Sequence, residues 1–321
     1  MSLETEAILD RRRLRRHVTF WRVAAVLAGV IAIGALIFKG AGGTGLGDRH
    51  IARVNIEGII TEDRDQLTMF KKIAKDKSVE AMILFINSPG GTTTGGEAVF
   101  EAIRGVAANK PVVAQFGTVA TSAAYIAGLA TDQIVARGNT ITGSVGVIFQ
   151  WAEVSELLGK LGVKMNEIKS GPLKANPSPF QPVDEAGRQN AQQMVAESME
   201  WFKGLVSSRR HINTSSVPGL EQGRVFSGRE ALEHKLIDKI GGEPEAQKWL
   251  EEQRGVTAGL KIVEWKAKSE DGWGLFSMMG RALTGLIGGS AVRLLGLAAD
   301  DPRLALLQLD GLVSVWQPPK N

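Results

Sequence analysis

A chain of 321 residues, 44% hydrophobic and 22% charged, is long enough for a large buried core and has the composition of an ordinary globular protein. Its formal charge of +4 arises from an arginine-rich start (Arg11, Arg12, Arg13, Arg15, Arg16 and Arg22). The remainder is close to neutral, with no basic stripe interleaved with aromatics, so no nucleic-acid partner is expected. The absence of cysteine excludes disulfides, thiolate metal sites, iron–sulfur clusters and a cysteine nucleophile; no metal or other cofactor is expected.

In chain order, residues 1–22 form a basic arm. Residues 23–38 (VAAVLAGVIAIGALIF) carry no charge and as a helix would span about 24 Å. With Phe20, Trp21 and Arg22 they suit a single membrane crossing, and the arginines in front place the N-terminus in the cytoplasm. A cleaved signal peptide or a buried helix would share this pattern. Residues 39–49 read as a glycine-rich linker. Residues 50–268 form a body in which strands alternate with helices. Strands are expected at 52–56, 81–86, 111–116, 133–136, 146–149, 163–168 and 260–265. Helices are expected at 63–76, 95–108, 122–130, 154–161, 184–209, 228–234 and 243–253. This alternation means an α/β fold with parallel pairing. In the apolar C-terminal region, 269–321, residues 273–297 suit a subunit interface, core packing or a membrane surface. The tail 309–319 has the apolar character of a segment that docks on its own chain or a neighbour.

Four segments can carry chemistry. Ile86-Asn87-Ser88-Pro89-Gly90-Gly91 follows a buried strand and precedes a helix. It reads as a sharp turn, and its glycines could also present backbone N–H groups to a developing oxyanion. Ala120-Thr121-Ser122-Ala123-Ala124 sets a serine before a helix of small residues. Such a serine is commonly an N-cap, and the same position suits a nucleophile. Thr142-Gly143-Ser144-Val145-Gly146 offers a hydroxyl. Lys169-Ser170-Gly171-Pro172-Leu173-Lys174 ends in a lysine that can act as a base only if burial lowers its pKa from about 10.4.

In this order, together with Gly223-Arg224-Val225-Phe226-Ser227-Gly228 and Leu236-Ile237-Asp238-Lys239-Ile240-Gly241-Gly242, these motifs resemble the short bacterial form of the signal peptide peptidase A family. That family shares a superfamily with Clp protease and the crotonases. The likeness runs from about Ile51 to Glu252. It implies a spiral of β-β-α units behind one N-terminal transmembrane helix, and a serine protease with a Ser–Lys dyad. Ser122 would be the nucleophile, Lys174 the general base and Ser144 the residue that orients the lysine. The amides of Gly91 and Ala123 would form the oxyanion hole.

The resemblance also implies a homo-oligomeric ring whose dyad draws on neighbouring subunits. The catalytic domain would be periplasmic, anchored in the bacterial inner membrane. Substrates would be apolar peptides such as signal-peptide remnants. A membrane-protein quality-control protease or a catalytically silent peptide-binding scaffold would share these features. Two departures from the family are Ala123-Ala124, where glycines are usual, and Pro172 in the lysine loop. None of His17, His50, His211 and His234 lies between Ser122 and Lys174, which disfavours a Ser-His triad.

Overall fold

The computed structural model describes residues 20–22, 24–25, 27–29, 48–267 and 312–315. It divides into two compact units, Met1–Asp48 and Arg49–Asn321. In the first, the described residues 20–22, 24–25 and 27–29 are helical. Among the described residues no helix is long and apolar enough to cross a membrane. The expected span at 23–38 falls mostly outside the described residues, and the segment 273–297 falls wholly outside them.

Among the described residues, the second unit is built on a ten-stranded mixed sheet. Its elements are β1 (His50–Ile60), α1 (Arg64–Lys75), β2 (Val79–Thr92), α2 (Thr93–Ala107), β3 (Val112–Thr121) and α3 (Ala123–Leu129). There follow β4 (Gln133–Ala136), β5 (Ile141–Gly143), β6 (Ile148–Phe149), α4 (Ser155–Lys160) and α5 (Glu185–Arg210). The last are β7 (Val225–Ser227), α6 (Gly228–Glu233), β8 (Lys239–Ile240), α7 (Glu243–Arg254), β9 (Lys261–Trp265) and β10 (Leu312–Val315). Strand β1 pairs in parallel with β2 and β9, β2 with β3, and β3 with both β4 and β5.

The alternating side-chain direction of a strand explains the two cores. Val54 and Ile56 of β1, Met82, Leu84 and Ile86 of β2, and Ala114 and Phe116 of β3 face one side, where α1, α2, α3 and α5 cover them. Ile51, Ala81, Ile83 and Val113 face the other side, against Ala246 and Leu250 of α7. Strand β2 is therefore covered on both faces, which is why its sequence is continuously apolar.

Two expectations need correction. Residues 163–168 form no strand; most of them are exposed, and with no core face to bury, an apolar alternation does not make a strand. The Ser88–Gly91 segment is no sharp turn, because β2 runs through it to Thr92. A register shift between Ile86 and Ser88 bends the strand instead. The Asn87 carboxamide oxygen accepts from the Thr118 and Val119 amides at 3.1 and 3.3 Å, and so satisfies the backbone donors of β3 at the break.

Candidate active site

Beyond the bend, β2 and β3 carry the residues of interest side by side. Ser88 lies opposite Ala120. The Thr121 hydroxyl donates to the Pro89 carbonyl at 3.1 Å. On the other side of β3, the Thr142 hydroxyl donates to the Ala120 carbonyl at 2.7 Å, and the Ser122 amide donates to the Gly143 carbonyl at 2.9 Å. The backbone at Ser122 is thus held between the Gly90–Gly91 segment and the Gly143–Ser144 segment.

Ser122 occupies the N-cap position of α3, but it does not cap. Its backbone has φ 60° and ψ −121°, and its side chain makes no capping hydrogen bond. An N-cap residue normally takes extended dihedrals with its hydroxyl turned onto the first turn. A positive φ is unfavourable for any residue with a Cβ. Such a turn persists only where its surroundings impose it, and strain of this kind gathers at functional sites. The residue is 1% exposed, and every residue of α3 is buried, including Tyr125, whose hydroxyl donates to the Leu236 carbonyl at 2.8 Å. Burial raises the Tyr125 phenol well above its ordinary pKa. Ala123, as the first residue of α3, has an amide without an acceptor inside the helix.

Gly91 is required by space. A Cβ there would collide with the backbone of Ile60, its partner on β1. The preceding Gly90 has φ 114°, a conformation that L side chains rarely adopt. The Gly90 amide donates to the Ser88 hydroxyl at 3.1 Å, which fixes the local fold of the segment.

Ser144 is nearly buried, at 9% exposure, and also has a positive φ, 53°. Its amide donates to the Arg224 carbonyl at 2.9 Å, and β7 pairs antiparallel with β5 just beside it. Arg224 in turn stacks over the Phe226 ring at 4.8 Å and pairs with Glu230 at 2.5 Å. The Arg224–Phe226 motif therefore braces Ser144, a role that no sequence pattern assigned to it. A cleft of about 400 Å³ opens beside Ser144, walled by Val147, Ile148, Val195 and Met199, with Glu221 at its edge.

Lys174 lies apart in character. It sits exposed in a tight turn, its amide donating to the Gly171 carbonyl at 3.1 Å. Its ammonium makes no hydrogen bond or ion pair among the described residues. Among the described residues, no buried cleft of the kind required of a lysine base is built around it. The turn itself is well braced. Ala175 has φ 54°, and the Asn176 carboxamide donates to Asp184 at 2.8 Å. Asp184 also caps α5, accepting from the Gly187 amide at 2.7 Å, and these two contacts, the cap first, hold its carboxyl below the usual range. Gly187 leaves room for Asn176, because a Cβ there would strike that carboxamide.

Of the five non-glycine residues with positive φ among the described residues, Ser122 and Ser144 are two, and Ala175, next to Lys174, is a third. His211 and His234 take structural places, His211 at the left-handed end of α5 and His234 against the Phe226 ring at 5.8 Å.

Comparison with known proteins adds a context to this geometry. The profile of Peptidase family S49 matches residues 104–257, and that of Clp protease matches residues 56–138. Ser122 lies in both matches, whereas Ser144 and Lys174 lie in the first alone. The chain is 32% identical over 215 residues to a predicted protease of Methanocaldococcus jannaschii, spanning 67% of this chain and 68% of that protein. It is 31% identical over 236 residues to a predicted signal peptide peptidase SppA of Enterococcus faecium, spanning 69% and 68%. It is 32% identical over 229 residues to Protease 4 of Haemophilus influenzae, spanning 67% of this chain and 37% of that one.

Proposed function

The chain belongs to peptidase family S49 and is a serine-type peptidase, and on that premise we propose that it is a membrane-anchored endopeptidase working through a Ser122–Lys174 dyad. The observation that carries the reading is the uncapped, positive-φ turn at Ser122, gripped by the Gly143 carbonyl behind it and the Pro89–Gly91 segment beside it. A serine at the end of a strand, strained and free of capping duty, is what a nucleophile requires.

In the proposed reaction the neutral Lys174 amine takes the Ser122 hydroxyl proton as Oγ bonds to the scissile carbonyl carbon. The Gly91 and Ala123 amides hold the resulting oxyanion. The tetrahedral intermediate collapses, the leaving amine takes the proton from the Lys174 ammonium, and an ester on Ser122 remains. Lys174 then deprotonates a water that attacks the ester carbon, and its ammonium returns the proton to Ser122 Oγ as the acid product leaves. Ser144 accepts a hydrogen bond from the amine and keeps it aimed at Ser122.

A lysine base needs an apolar enclosure, which here a neighbouring subunit would supply. The segment that bears Lys174 supports this. Leu157, Leu161, Val163, Met165, Ile168 and Leu173 are all more than 40% exposed, Ile168 fully so. So many exposed apolar side chains in one stretch of chain support an interface there. The ring of the Clp-like spiral, with the dyad shared between protomers, accounts for both the exposed lysine and the exposed apolar surface. The arginine arm and the run at 23–38 support an anchor with its N-terminus in the cytoplasm and the peptidase on the outer face of the bacterial inner membrane. The apolar walls of the cleft beside Ser144, and the name signal peptide peptidase carried by a relative, support apolar peptides such as signal-peptide remnants as substrates.

The test combines labelling with mixing. A fluorophosphonate probe should modify Ser122, identified by peptide mapping, and both Ser122→Ala and Lys174→Ala should abolish peptide cleavage in folded protein. Mixing the two inactive proteins should restore up to about a quarter of the activity, the share of sites that pair an intact serine with an intact lysine in a randomly assorted assembly. Full activity in the purified Lys174→Ala protein would remove this lysine as the base.

A further inference from the structure

A cavity of about 570 Å³, apart from the cleft beside Ser144, lies at the C-terminal end of α3, the end opposite Ser122. Four helices finish at it, with Leu129 of α3, Arg210 of α5, Leu232 of α6 and Arg254 of α7 in its wall. Arg209, Arg210, Lys235 and Arg254 bring four positive charges to the lining, and Asp132 and Asp238 bring two negative ones. The lining therefore carries a formal excess of two positive charges, with the His211 imidazole left out of the sum.

Helix capping explains part of this set, since the last carbonyls of a helix lack partners and attract cations. Arg209 donates through Nε to the Leu129 carbonyl at 2.7 Å and through Nη2 to the Thr131 carbonyl at 2.8 Å. Arg210 donates through Nε to the Lys235 carbonyl at 2.7 Å and forks onto Asp238 at 3.0 and 2.7 Å. Asp132 is shared by Arg254 at 3.3 Å and Arg104 at 3.8 Å. Both carboxylates are thus occupied. Arg209 and Lys235 pair with no carboxylate among the described residues, and neither Arg209 Nη1 nor the Lys235 ammonium makes a hydrogen bond there. Burial first, and then the neighbouring Arg104 cation, press the Arg209 guanidinium below its ordinary pKa. Lys235 has φ 60° just past the end of α6, a place where glycine fits without strain. Its amide bonds the Leu232 carbonyl at 3.0 Å and its carbonyl accepts from Arg210, contacts that a glycine would make equally well. Capping therefore accounts for the backbone of Lys235 and leaves its side chain unexplained.

We propose that this cavity binds a phosphate monoester, held by the Lys235 ammonium and the Nη1 edge of Arg209. At neutral pH a phosphate monoester carries nearly two negative charges and three strong acceptor oxygens. That charge matches the excess in the lining, whereas a carboxylate or a phosphodiester would leave one positive charge uncancelled. A planar guanidinium and a lysine point charge are the two side chains best suited to such a group. The cavity also has room for the organic part of the ester. The site is independent of the reading of Ser122, because the segments of Ser122, Ser144 and Lys174 contribute nothing to its lining. Two sources share this chemistry, a water-soluble phosphate monoester and the headgroup of a monoester phospholipid.

The experiment is calorimetric titration of the full-length protein, in non-ionic detergent, with glycerol 3-phosphate at constant ionic strength. Three proteins are compared: the parent, Lys235→Gly, whose backbone suits the positive φ and so keeps the fold, and Lys261→Gln, which removes an exposed lysine of β9 outside the cavity. The parent should bind saturably, with acetate giving no such heat. Lys235→Gly should bind about tenfold more weakly, and Lys261→Gln should match the parent. Absence of saturable binding in the parent would overturn the proposal. So would an affinity of Lys235→Gly within about twofold of the parent, or an equal loss in Lys261→Gln, which would mark a general attraction between anions and a basic protein. A second titration with dihexanoyl phosphatidic acid, below its micelle concentration, separates the sources. Binding about tenfold tighter than that of glycerol 3-phosphate, and again lost in Lys235→Gly, would assign the site to a lipid headgroup, and equal or weaker binding would assign it to a soluble ester.

Discussion

Replacing Gly91 by alanine tests the oxyanion segment at its tightest point. The added Cβ would lie 2.5 Å from the Ile60 carbonyl carbon and 2.6 Å from the Ile60 nitrogen. Carbon contacts are comfortable at about 3.5 Å, and the Ile60 carbonyl oxygen lies nearer still, so β1 and β2 would have to part by at least about 1 Å. Both are backbone in a paired sheet, with no flexible side chain to yield. Overpacking of this kind costs about 1–3 kcal/mol. For a unit of this size, about 2 kcal/mol corresponds to a fall in Tm of roughly 4–8 °C. The larger effect is catalytic. A donor moved by about 1 Å no longer meets the oxyanion, and loss of one such donor lowers kcat by about 10²–10³-fold. The assay is steady-state cleavage of a fluorogenic peptide well below the Tm of the variant, with scanning calorimetry alongside. A variant with kcat within about threefold of the parent would show that the Gly91 amide does not serve the oxyanion. An unchanged Tm would show that the approach of Ile60 is not tight.

Two further outcomes concern the lysine turn. Ala175→Gly removes the cost of a positive φ, about 1–2 kcal/mol, and gives back part of it through the freer unfolded chain. A net stabilisation of about 0.5–1 kcal/mol should appear as a higher urea midpoint, and a lower midpoint would contradict the strained turn. Asp184 links this turn to α5, and its folded pKa is lowered by the Gly187 amide and then by Asn176. Its contribution is therefore complete above the unfolded value of about 3.9 and is lost as pH falls through the lowered value. Acid titration followed by circular dichroism should show this acid-side loss in the parent and its absence in Asp184→Ala. Identical profiles below about pH 4 would exclude the cap as a contributor.

Much of the architecture was legible because local rules act on consecutive residues. The continuous apolar run in β2 announced a strand covered on both faces. The serines and the lysine were legible only as a set, since each residue type is common in caps and loops. Where the sequence misled, the cause was distant. Residues 163–168 alternate like a strand but have no surface to cover. Ser88–Gly91 reads as a turn, yet pairing with β1 and β3 keeps it in the sheet.

The sequence by itself determined the α/β class, the charge asymmetry of the ends, the exclusion of thiol chemistry and the candidates Ser122, Ser144 and Lys174. Only tertiary structure decided how they stand. The positive φ of Ser122 is imposed by hydrogen bonds to partners across the sheet, and Gly91 is dictated by the approach of Ile60 from another strand. The bracing of Ser144 by Arg224, and the entry of residues 312–315 between β2 and β6, join positions far apart in the chain. Contacts of that range leave no local period or propensity, because what they depend on is the surface the rest of the fold presents.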